Sequence, residues 1–85
     1  MNTKSTKILL VEDNPGDARL VQEMLADLGP DRFALEHVGS LGEALSCLNK
    51  TEFDLVLLDL CLPDSEAPDS LTRIQAAAPR IPVVV

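Results

Sequence analysis

Two short apolar runs, each ending abruptly in acid, constrain this chain more than anything else in it. Ile8-Leu9-Leu10-Val11 leads straight into Glu12-Asp13, and Leu55-Val56-Leu57-Leu58 leads straight into Asp59. An apolar run of this length bounded by polar residues reads as a strand buried on both faces, as in a parallel sheet. Parallel neighbours end on the same edge of their sheet, and in open α/β sheets that edge is where ligands bind. Glu12, Asp13 and Asp59 would then converge on one small negative pocket. Carboxylates packed that closely repel and need a proton or a cation to coexist. A hard divalent metal with oxygen ligands answers that need, and Mg²⁺ fits best.

The segments between and after these runs alternate helix with strand, which predicts an α/β fold with helices on both faces of a parallel sheet. Strand one covers about Lys7–Val11. Asn14-Pro15-Gly16-Asp17 has an N-cap residue, a proline suited to the first helical position and an acid for the first turn. Ala18, Val21, Met24, Leu25 and Leu28 follow at helical spacing, and Gly29-Pro30 stops the helix. Strand two covers about Arg32–Val38, with Phe33, Leu35 and His37 alternating; His37 reads as structural, with no ligand set around it. Ser40-Leu41-Gly42-Glu43 is a capping box, opening a helix to about Asn49 that buries Leu41, Ala44, Leu45 and Leu48. Strand three is Asp54–Leu58. Helix three spans about Pro68–Ala77 with Leu71, Ile74 and Ala78 inward, and strand four is Ile81–Val85.

Composition narrows the function. At 85 residues the chain holds one domain, and an aromatic content of 2% leaves an aliphatic core. A net charge of −7 excludes a basic nucleic-acid-binding face and attraction to anionic membranes. No apolar stretch approaches a membrane span, the first residues lack the apolar core of a signal peptide, and two cysteines, Cys47 and Cys61, make neither a disulfide framework nor a zinc site. The expectation is a reduced, cytoplasmic protein. A dinucleotide-binding domain is a poor fit because no Gly-x-Gly-x-x-Gly follows strand one. A metal-dependent phosphatase with an aspartyl nucleophile needs a second Asp two residues after the first, where this chain has Cys61.

Three blocks taken together carry a family resemblance: Ile8 to Asn14, Phe53 to Asp64 with its Asp-x-x-x-Pro, and Ile81-Pro82-Val83-Val84-Val85. In order and spacing, Lys7 to Val85 resembles the receiver domain of two-component response regulators. The resemblance implies a flavodoxin-like three-layer sheet of order 2-1-3-4, with the family's fifth strand missing from residues 1–85. It implies that Asp59 is the phosphoacceptor, taking a phosphoryl group from a sensor histidine kinase or phosphotransfer protein. It further implies Mg²⁺ held directly by Asp13 and Asp59, through water by Glu12, and by the backbone carbonyl of Cys61. Any catalysis would be limited to self-phosphorylation and autodephosphorylation at Asp59.

Two departures accompany the match. Where the family usually has a Gly after the loop proline, this chain has Ser65-Glu66-Ala67-Pro68. The family's Ser/Thr past strand four and Lys at the end of strand five have no counterpart up to Val85. The alternative expectation is therefore an incomplete receiver-like interaction module that keeps the metal pocket but does not switch. A valine-rich fourth strand left as an edge would also pair with a second copy, as a homodimer or by strand exchange.

Overall fold

The computed structural model describes residues 5–29, 31–58 and 67–84, and for residues 67–70 the backbone alone. The elements alternate as read: β1 (Thr6–Val11), α1 (Pro15–Leu28), β2 (Phe33–Val38), α2 (Leu41–Lys50), β3 (Leu55–Leu58), α3 (Ala67–Ala77) and β4 (Val83–Val84). All strand pairs are parallel, and the sheet order is β2-β1-β3-β4. Among the described residues, no helix is long and apolar enough to cross a membrane.

β1 is the spine of this sheet. It pairs with β2 from Thr6↔Phe33 to Val11↔Val38 and with β3 from Ile8↔Leu55 to Val11↔Leu58. Because side chains alternate along a strand, β1 feeds both faces. Leu9 and Val11 point into a core with Val38, Leu41, Ala44, Phe53, Val56, Leu58 and Ile74, which α2 and α3 cover. Ile8 and Leu10 take the other face and are equally buried. On that side a shallow cleft lined by Leu25, Phe33 and Leu35 marks where α1 lies against β2. Helix, sheet and helix thus form three layers, the arrangement expected for apolar strands in a parallel sheet.

Local chemistry sets the ends of the elements. Asn14 adopts an extended backbone and its side chain accepts from the amides of Gly16 and Asp17, capping α1. Gly29 ends α1 with a φ of 151°, and its N–H donates to Ala26 O. A side chain there would adopt a disfavoured backbone and meet the Arg32 side chain. Ser40 caps α2 by accepting from the Glu43 amide at 3.2 Å. The other half of the box differs from expectation: the Ser40 hydroxyl lies 3.4 Å from the Glu43 carboxylate. At the N-terminal edge of the sheet, the Lys7 amide donates to Asp54 Oδ2 and the Asp54 amide to Lys7 O, so Asp54 closes β3 instead of joining it.

Two expectations are corrected. Met24 and Leu28 share the apolar spacing of α1, yet they are 65% and 63% exposed, with Leu20 beside them. Of that stripe Ala18 is buried and Val21 and Leu25 are half-buried. β4 is shorter than Ile81–Val85: Pro82 has no N–H for the ladder and enters it only as an acceptor, from the Val56 amide at 3.0 Å. Val85 lies outside the described residues.

Ile74 is fully buried and anchors α3 to the sheet. Ile74→Ala is expected to cost about 2–5 kcal/mol by leaving a cavity under α3. Asn14→Ala, which removes a cap at the solvent-facing end of α1, is expected to cost about 1 kcal/mol. Urea denaturation of the two variants should rank them in that order.

Candidate functional site

The sheet edge formed by the C-terminal ends of the strands carries the acidic pair. Glu12 and Asp13 follow Val11 where β1 turns into α1; Glu12 is half-buried and Asp13 exposed. Three hydrogen bonds fix Glu12. Its N–H donates to Val38 O at 3.0 Å, extending the β1–β2 ladder one residue past the strand. Its carbonyl accepts from His37 Nε2 at 2.7 Å. Its carboxylate Oε2 accepts from the Asn14 amide at 3.2 Å. The turn then hands over to Asn14, whose Oδ1 accepts from Gly16 N at 2.9 Å and Asp17 N at 3.3 Å. The Glu12 carboxylate is therefore held at the start of α1, where the helix dipole favours negative charge, with the exposed Asp13 next to it in the chain.

The same edge collects the other elements that matter. α2 begins at its Ser40 cap directly after β2. β3 arrives beside β1 with Leu58 opposite Val11. Asp59 is joined to Leu58 by one peptide bond, but Asp59 and Cys61 lie outside the described residues. The structure thus brings Glu12 and Asp13 together at the expected edge and describes neither of the other two nominated residues. Among the described residues, no three His, Cys, Asp or Glu side chains gather into a metal-binding group. The donor set that is described, two carboxylates with half-buried and exposed character, suits a hard, partly hydrated cation such as Mg²⁺.

His37, read from the sequence as structural, touches the acidic turn through Glu12. Its contact with Glu12 spans 25 positions in the chain and depends on β1–β2 register, so no local pattern announces it. A second cleft, of about 460 Å³, lies at the opposite edge among Leu48, Phe53, Ala78, Arg80 and Ile81. It sits where β3 and β4 begin, away from the acidic pair, and contributes no carboxylate cluster.

Comparison with known proteins matches this architecture throughout. The family model described as the response regulator receiver domain matches residues 8–85. The sensor protein GacS of Pseudomonas syringae pv. syringae is 32% identical over 76 residues; these cover 89% of this chain and 8% of GacS. The phosphorylated cyanobacterial phytochrome response regulator RcpA superposes with a TM-score of 0.82 at 37% identity, covering 94% of this chain and 63% of that one. The receiver domain of sensor histidine kinase PA1611 from Pseudomonas aeruginosa PAO1, whose active-site cleft coordinates a magnesium ion, superposes with a TM-score of 0.81 at 28% identity, covering 94% and 65%. The chain thus spans a small part of the curated relative and just under two thirds of the solved receiver chains. With its family model matched almost end to end, the β2-β1-β3-β4 parallel sheet and the acidic turn after β1, the chain belongs to the response regulator receiver domain family of two-component signalling.

Proposed function

We propose that Asp59 is the phosphoacceptor of this receiver domain, with Glu12 and Asp13 as the acidic pair that holds Mg²⁺ beside it. Receiver domains work with histidine kinases or phosphotransfer proteins, and the donor here would be the phosphohistidine of such a partner. One observation carries the reading. β1 and β3 end in register at Val11↔Leu58, so the chain leaves both strands for Glu12-Asp13 and for Asp59 from neighbouring points of one edge.

The chemistry is a single displacement. A carboxylate oxygen of Asp59 forms a bond to phosphorus as the phosphorus–nitrogen bond of the donor breaks, and the electron pair leaves with the imidazole nitrogen, which takes up a proton. The product is an aspartyl phosphate. Phosphoryl transfer of this kind depends on positioning and charge neutralisation more than on covalent assistance. Bound Mg²⁺ would supply that neutralisation, with Asp13, Asp59 and the Cys61 carbonyl as direct ligands and Glu12 acting through water. What the chain itself contributes is a tied acidic turn: hydrogen bonds to the backbone and carboxylate of Glu12 limit how far it must reorganise as the phosphate arrives.

Treatment with acetyl phosphate and Mg²⁺ should add the mass of one phosphoryl group, labile to hydroxylamine and absent from Asp59→Asn. No adduct at all would favour the alternative of a receiver-like interaction module that does not switch, and an adduct persisting in Asp59→Asn would put the phosphoacceptor at another residue. Asp13→Ala should slow adduct formation on the order of 10²-fold, the usual cost of removing a group that stabilises transition-state charge, without lowering the unfolding midpoint. Stopped assays followed by intact mass would measure both.

A further inference from the structure

The peptide group joining Glu12 to Asp13 determines where the chain carries Asp13 as it leaves β1. Its oxygen is the Glu12 carbonyl, and that oxygen sits 2.7 Å from Nε2 of His37. A carbonyl can only accept, so Nε2 bears the hydrogen and donates. The Glu12 N–H is tied to the same neighbour strand through Val38 O at 3.0 Å. Both backbone polar groups of Glu12 are thus fastened to the last two residues of β2, one by main chain and one by side chain. The second tie is unusual for its position. Residue 37 stands on the β2 face that carries Phe33 and Leu35, but His37 itself is exposed and adds nothing to the apolar core. His37 pairs with Leu10 in the β1–β2 register, two residues before Glu12, which puts its ring within reach of the acidic turn.

We propose that His37 is a positioning residue for the acidic pair: its Nε2–H holds the Glu12–Asp13 peptide in the orientation that presents both carboxylates to the cation. The proposal rests on the reading of Glu12 and Asp13 as Mg²⁺ ligands. It concerns a second layer of contacts, where loss of a hydrogen bond to a ligand typically costs ten- to a hundredfold in metal affinity. All variants are compared at a single neutral pH.

Three substitutions separate positioning from packing. In His37→Gln the side-chain amide nitrogen reaches as far as Nε2 and can donate to the same carbonyl. In His37→Asn it reaches only as far as Nδ1, and in His37→Leu there is no donor. Calorimetric titration with MgCl₂ is expected to show affinity about tenfold weaker for the Leu and Asn variants and largely restored in the Gln variant. In the metal-free proteins, the Asp13 amide resonance should move in the Leu and Asn variants and stay near its wild-type position in the Gln variant. Equal affinity in all four proteins, or a Gln variant as weak as the Leu variant, would overturn the proposal while leaving the Mg²⁺ site intact. Mg²⁺ binding by the wild type that survives Asp13→Ala would overturn both, since the acidic pair would then not be the site.

Discussion

Burial of β1 between two parallel neighbours is the constraint on which the rest depends. Ile8, Leu9, Leu10 and Val11 are each at most 4% exposed, and each apolar side chain removed from water contributes about 1.5–3 kcal/mol. The run is bounded sharply. A slip of one residue in register would carry Glu12 into the place of Val11, and burying an unpaired carboxylate costs far more than any ladder hydrogen bond returns. The acid after the strand therefore acts as a stop that fixes where β1 ends. Since β2 and β3 are registered on β1, it also fixes the edge at which they deliver Val38 and Leu58. Folding requirement and site placement are the same requirement.

The acidic turn shows how a charge-rich site coexists with a stable fold. Concentrated negative charge is unfavourable by itself, and the chain offsets it locally. Glu12 accepts an amide hydrogen bond from Asn14, Asn14 in turn caps α1, and the Glu12 carboxylate so lies at the positive end of that helix. These contacts involve mostly exposed groups, so each contributes modestly to stability. Their larger consequence is order: the turn is tied by the chain's own hydrogen bonds. That kind of preorganisation is what a domain needs when its chemistry consists of holding charges in place.

How much of this was legible in the sequence follows from what is local. β1, β3 and the caps at Asn14 and Ser40 are set by neighbouring residues, and they stand within a residue or so of where the pattern puts them. The sheet order came from the resemblance carried by three motif blocks, and the structure bears it out. The exposed side of α1 was not legible. Periodicity tells which side chains share a helix face, whereas what packs against that face decides which are buried: Leu25 is half-buried, Met24 and Leu28 are exposed. The contact of His37, a residue read as structural from the sequence, with Glu12 was not legible for a related reason, because it arises only when two strands come into register. Asp59 and Cys61 fall outside the described residues, so their assignment rests on chain connection to Leu58 and on family membership.

The central claim is that the ends of β1 and β3 form one cation site. Substoichiometric Mn²⁺, used as a paramagnetic substitute for Mg²⁺ in an amide-resolved NMR spectrum, tests it directly. Broadening falls off steeply with distance from the ion. The amides of Glu12, Asp13 and Asp59 should vanish first, followed by those of Val38 and Leu58, with recovery on adding excess Mg²⁺. Broadening centred instead on the acidic surface around Asp27, Asp31 and Glu36, or spread evenly over the chain, would contradict the account.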